Sequence, residues 1–363
     1  MKLQVTQENL NRALGSVARV ANSRGTLPIL ANVLIRTASN RLSLSATNLD
    51  IAITHYIGAK VADKGSITVP ARLMQDFVSS LPTGVINLEL NDAKLKVTTD
   101  QYQSVVNGIV ADDFPVMPAI TKGQTWSVPA PDLKKGLQQV VFAASADESR
   151  PVLTGVLIHT HEGKLYLAAT DSYRLAEKTL GSNKETTKLL VPATAMQDLL
   201  RVMADYEGEV QVTNDEQQVL FQVGDVELTA RLVEGNYPDY RKLIPSKFTT
   251  EATLKRSELV SITKVSSLFA RETAGSVTIE VDEKTQSLSI RSVASQLGEN
   301  TATANGKVTG SGSITLNSRY LLDGLNALGG EEVTFGFNGK LEPTLLTDAS
   351  INDYKHVIMP LKS

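Results

Sequence analysis

Few residues in this chain have the types and spacing to do chemistry. Of four histidines, only His159 and His161 are close, two apart on a strand-like segment that turns both to one face. Two imidazoles with no third ligand at a telling spacing fall short of a zinc or iron site, which needs three or four donors, so they read as structural. Asp112 with Asp113, Glu331 with Glu332, and Asp171 have the groups for acid–base work, yet no spacing makes any two of them converge. There is no cysteine, hence no disulfide, thiolate metal site or thiol nucleophile. Phosphate-binding glycine loops and the G-x-S-x-G nucleophile elbow are also missing. The sequence therefore offers no catalytic residue, no metal site and no cofactor, and the expectation is a protein that binds and does not catalyse.

The 363 residues exceed what one core usually supports, so two or three domains are expected. With 42% hydrophobic and 21% charged residues and no long apolar run, the pattern is that of a soluble globular protein with no membrane partner. Met1 to Val5 alternates like a strand and lacks the basic and apolar stretches of a secretory signal, which points to the cytoplasm. A net charge of -3 excludes a surface that coats nucleic acid all over but leaves room for a local basic face.

What positions these residues is an internal repeat. VPARLMQDFVSSL at 69–81 returns as VPATAMQDLLRVM at 191–203, an offset of 122 residues, and LPILANVLIRTASNRLSLSATN from Leu27 returns as RPVLTGVLIHTHEGKLYLAATD from Arg150, an offset of 123 residues. The same offset relates the D-D-F-P ending at Pro115 to the G-N-Y-P ending at Pro238. A fainter third copy has SELVSITKVSSL at 257–268 against PDLKKGLQQVVF at 131–142, and LNSRYLLDGLNAL at 316–328 against the two VPA segments. Within a lobe, Val5, Leu10, Leu14 and Val17 match Val69, Met74, Val78 and Leu81, which suggests a half-repeat. The lobes are assigned as 1–122, 123–250 and 251–363.

Leu10, Ala13, Leu14 and Val17 recur at helical spacing in 8–20, with Arg12, Ser16 and Arg19 on a polar face; 132–142 and 258–269 read the same way. Period-two segments follow, such as Leu42 and Leu44, Val85 with Leu88 and Leu90, Leu165 and Leu167, and Leu288 and Ile290. Each lobe is thus an α+β domain with two helices packed on antiparallel sheets. Their polar faces repeat basic residues: Arg12, Arg19 and Arg72; Lys134, Lys135 and Arg201; Lys264, Arg271 and Arg319. Ordinary solvation explains such a face as well as phosphate binding does.

Read with these repeats, TDSYRLA at 170–176, GNYPDYRKLIP at 235–245 and HVIMPLKS at 356–363 resemble the bacterial sliding clamps, the beta subunits of the replicative DNA polymerase, over the whole chain. The resemblance implies a crescent of three clamp-type domains that dimerises head to tail into a ring, with helices lining the hole and sheets outside. It implies a non-catalytic processivity factor that encircles duplex DNA without reading sequence. It also implies a pocket for short linear motifs of the polymerase, the clamp loader and repair proteins.

By position against that family, the peptide pocket is implied to comprise Leu153, Thr170, Ser172, Tyr173, Arg174, Leu175, Pro238, Lys242 and Leu243, with Leu341, Val357, Ile358, Met359, Pro360 and Leu361. Ser172, Tyr173 and Lys242 stand where some clamps have glycine, histidine and arginine, which leaves the motif preference open. Arg24 and Arg150 in loops, and Arg72, Lys134, Lys135 and Arg201 on helices, are the implied DNA contacts; Val106, Leu268 and Phe269 are the implied dimer contact. From the residues alone, packing between lobes is the favoured reading of the pocket positions, and only the family resemblance reverses it. A repeat scaffold that never touches DNA, or an enzyme with a site assembled between lobes, stays open on that basis.

Overall fold

The computed structural model describes residues 1–21, 27–115, 119–183, 185–294 and 298–362. Among them are six α-helices: α1 (Gln7–Val17), α2 (Ala71–Ser80), α3 (Ala130–Val140), α4 (Ala193–Val202), α5 (Arg256–Phe269) and α6 (Ser318–Ala327). Each helix begins on the residue after a strand: Lys2–Thr6, Ser66–Pro70, Gln124–Pro129, Lys188–Pro192, Thr250–Lys255 and Gly312–Asn317. The half-repeat is therefore a strand–helix unit, used six times.

The switch from strand to helix has a local cause in five of the six cases. Thr6 and Asn317 cap their helices, accepting the N–H of Asn9 at 3.4 Å and of Arg319 at 2.9 Å. Three other strands end on Pro70, Pro129 and Pro192, which have no N–H to continue a ladder. In α1 the stripe Leu10, Ala13, Leu14 and Val17 is fully buried, as are Met74 and Val78 of α2. The first helix stops at Val17, so Arg19 lies beyond it; α3 ends at Val140, followed by a 3-10 turn at Val141–Ala143. Arg271 likewise lies past α5, in a 3-10 turn. The strand Val85–Asn91 corrects the expected phase: Ile86 and Leu88 face the core, while Val85 is 54% exposed.

The chain divides into two compact units, residues 1–131 with 197–232, and residues 132–196 with 233–363. The middle repeat contributes to both. The first unit holds a five-stranded and an eight-stranded sheet, with α1 packed on α2 and on the strand Ile51–Gly58. The second holds a twelve-stranded antiparallel sheet, with α5 packed on α6 and on the strand Gly298–Thr309. In the second unit the strand Arg174–Ser182 pairs with Tyr354–Ile358, setting Leu175 against Val357. No helix among the described residues is long and apolar enough to cross a membrane.

Candidate functional site

All fifteen implied pocket residues fall in the second unit. Their centre is the turn between the strands Lys164–Thr170 and Arg174–Ser182. Asp171 Oδ1 accepts the backbone N–H groups of Tyr173 and Arg174, each at 2.9 Å, and Thr170 Oγ1 donates to the Arg174 carbonyl at 2.6 Å. Ser172 takes a left-handed φ of 79°, and its N–H donates to Thr170 Oγ1. A turn fixed by its own side chains in this way holds Tyr173 out, 58% exposed. The C-terminal segment docks on it: the Met359 N–H donates to the Tyr173 carbonyl at 2.8 Å, and the Leu361 N–H to the Thr315 carbonyl at 2.9 Å.

Burial sorts the fifteen into buried, half-buried and exposed positions. Leu153, Thr170, Leu175, Val357 and Ile358 are buried, and Leu175 and Val357 join one apolar cluster with Tyr237, Tyr240 and Leu345. Arg174, Met359, Pro360 and Leu361 are half-buried. Ser172, Tyr173, Pro238, Lys242, Leu243 and Leu341 are exposed, and Leu341, at 65%, is the most exposed large apolar side chain among the described residues. Lys242 pairs with Asp239 at 2.7 Å, which raises its pKa.

Arg174 differs from the expectation of a wall residue. Its Nε donates to Asp171 Oδ2 at 3.1 Å, Nη1 to Asp323 Oδ2 at 2.5 Å and Nη2 to the Phe142 carbonyl at 2.7 Å. The guanidinium also lies over the rings of Tyr320 and Phe142, 4.6 and 5.3 Å from their centroids. Its donors are spent inside the protein, so Arg174 positions the turn. Asp323, Phe142 and Tyr320 were not singled out from the sequence; nothing local in it marks partners so far along the chain.

A second polar network runs through Tyr240 of that apolar cluster. Tyr240 Oη donates to buried Glu177 at 2.7 Å and sits 2.7 Å from His159 Nε2. Because the single phenolic proton goes to the carboxylate, the imidazole N–H is the donor to the phenol. Arg241 and Lys355 approach Glu177 at 3.3 and 3.7 Å. Burial, reinforced by the Arg241 charge, pushes the His159 pKa down to about 4. His159 and His161 do share a face, both against the ring of Tyr166.

The implied DNA contacts differ in their freedom. Arg72 and Lys135 are exposed, with no side-chain partner among the described residues. Lys134 is half-buried. Arg201 pairs with Asp198 at 2.5 Å, and Arg150 with Asp147 at 3.0 Å, while Arg150 Nη1 donates to Ser172 Oγ at 3.0 Å, linking it to the pocket turn. Arg24 lies outside the described residues. Of the implied dimer contact, Leu268 is 51% exposed and Phe269 half-buried, but Val106 faces inward at 6% while Val105 is 56% exposed.

Six strand–helix units, with exposed apolar side chains such as Tyr173, Leu243 and Leu341 gathered in one unit, describe a repeat-built protein with a surface suited to binding. The chain matches the N-terminal, central and C-terminal domains of the DNA polymerase III beta subunit over residues 1–118, 127–239 and 241–362. It belongs to that family, the DNA sliding clamps, which are non-catalytic processivity factors of replication. The beta sliding clamp of Synechocystis sp. is 32% identical across 100% of this chain and 99% of its own length. That of Bacillus subtilis is 28% identical across 100% of both. Among solved structures, the Bacillus subtilis clamp superposes with a TM-score of 0.95 at 27% identity, covering 100% of this chain and 99% of that one. The Pseudomonas aeruginosa clamp bound to griselimycin gives 0.95 at 26%, with 100% of each covered.

Proposed function

We propose that two copies of this chain join head to tail into a ring of six lobes around duplex DNA. The ring would hold the replicative polymerase, the clamp loader and repair proteins through short motifs seated in the groove of the second unit. The observation that carries the ring is a pair of strand edges left unpaired among the described residues. The strand Gln103–Asn107 ends the five-stranded sheet and presents Val105 outward. The long strand Gly298–Thr309 pairs over residues 298–305 on one side only among the described residues, and the helix carrying Leu268 and Phe269 packs on it. Each edge is a template for another strand. A heterologous contact whose rotation closes makes a ring, and each of two copies supplies one edge of each kind.

Arg24, Arg72, Lys134, Lys135, Arg150 and Arg201 are assigned to the inner face, meeting phosphates without reading bases. Arg150 and Arg201 would exchange their ion pairs with Asp147 and Asp198 for phosphate contacts. The functional lobes are taken as 1–122, 123–250 and 251–363, and the protein as acting in the cytoplasm. The test is retention of labelled protein on nicked circular DNA after ATP-driven loading, then linearisation of the circle. Retention followed by release supports a topological link; no retention with a competent loader present removes it.

A further inference from the structure

The first unit contains a cleft of about 440 Å3 on one face of its eight-stranded sheet. Thr47, Ala52, Pro115 and Ile120 line it, and the repeat offset of 123 residues sets them against Thr170, Leu175, Pro238 and Leu243 of the groove in the second unit. Strand register gives the same correspondence independently. Ala52 pairs with Thr229, which also lines the cleft, as Leu175 pairs with Val357. The cleft and the implied pocket positions of the second unit thus occupy corresponding places in consecutive repeats.

The side chains have diverged in a direction that tells what would fit. Alanine and threonine at 52 and 229 replace leucine and valine, leaving room for one bulky apolar side chain against Leu34 and Phe114, which pack together on one wall. Arg36, two residues along from Leu34 and on the same face of the strand, is exposed at the cleft, and its guanidinium has no hydrogen bond or ion pair among the described residues. Glu227, the one acid among the described lining residues, already accepts from Tyr56 at 3.3 Å and Gln222 at 3.4 Å. The unpaired charge is therefore positive, and it is single, whereas a phosphodiester backbone needs several. A cleft of this volume with few polar groups suits a small anchored segment.

We infer that this cleft is a second peptide-binding site, taking an extended segment of a partner protein with a bulky apolar side chain next to a carboxylate. The assignment rests on the reading of its counterpart as a peptide groove.

The test uses the full chain and two fluorescein-labelled tetrapeptides, Gly-Asp-Phe-Gly and Gly-Lys-Phe-Gly, read by anisotropy. The acidic peptide is expected to saturate. Ala52→Trp, which fills the cleft, should weaken it about tenfold. Arg36→Glu, an exposed change that leaves folding intact, should weaken it about fivefold and turn the preference to the basic peptide. Leu243→Glu, on the groove of the second unit, should leave that charge reversal in place. The inference is overturned by unsaturable binding of the acidic peptide, or by binding lost with Leu243→Glu and untouched by both cleft variants, in which case the groove of the second unit stands. Binding lost with the cleft variants and indifferent to Leu243→Glu and to a second groove change, Tyr173→Ala, would keep this site and discard the other.

Discussion

Arg174 and Asp323 meet at 2.5 Å across 149 residues of chain, joining the pocket turn to α6. The Arg174 side chain is 10% exposed and that of Asp323 is 32%, so the pair is shielded on one side and wet on the other.

Removing the acid leaves a nearly buried cation short of a partner. Asp323→Ala is expected to cost about 1–3 kcal/mol, measured by urea denaturation, and to weaken binding of a groove peptide by disordering the turn. Arg174→Lys should not preserve the turn, because an ammonium cannot reach Asp171, Asp323 and the Phe142 carbonyl from one planar fork. Full stability and peptide affinity in both variants would show the network to be incidental.

His356 is fully buried between Tyr354 and Phe142, and burial, with the Arg174 charge, pushes its pKa down to about 3. Between the ordinary imidazole value near 6.5 and about 3, the unfolded chain holds a proton that the folded one refuses. Stability is therefore complete above about 6.5 and falls as the pH drops through that window, with a limiting slope of about 1.4 kcal/mol per pH unit for one such group. His55 and His159, both lowered to about 4, act in the same direction. Urea midpoints from pH 7.5 to 4.5 should decline, and His356→Phe should flatten the curve; an unchanged slope would remove His356 from this account.

Gly324 lies in α6, where a Cβ would come 2.4 Å from the His356 ring. Alanine should gain about 1 kcal/mol in helix propensity and lose more to the clash, for a net destabilisation of about 1–2 kcal/mol. Pairing it with His356→Ala should recover part of the loss in a double-mutant cycle. Simple additivity would mean that the two do not press on each other.

The proposed dimer contact predicts a shift to monomer. Leu268→Ala with Phe269→Ala removes apolar groups worth about 2–5 kcal/mol each if buried by the second copy. Val105→Glu should act alike, since it puts a charge on the proposed seam. Sedimentation velocity over a dilution series reads the outcome, and an unchanged distribution in all variants would place the contact elsewhere.

Local order was legible in the sequence because its causes are local. The stripe Leu10, Ala13, Leu14, Val17 follows from helical spacing, and the alternation of Leu165 and Leu167 from the pleat, whatever lies on the other side. The repeat gave three lobes and the half-repeat, and the family resemblance named fifteen implied pocket positions, all of which lie in one unit. What the tertiary structure decided was pairing over distance. Whether Val105 or Val106 faces out, that Val85 is exposed, that Arg174 spends its donors on Asp323 and Phe142, and that Arg36 has no partner among the described residues beside the cleft of the first unit all depend on strand register and long loop closures. A one-residue slip in register turns a strand's side chains to the opposite face, and no neighbouring residue in the chain carries that information.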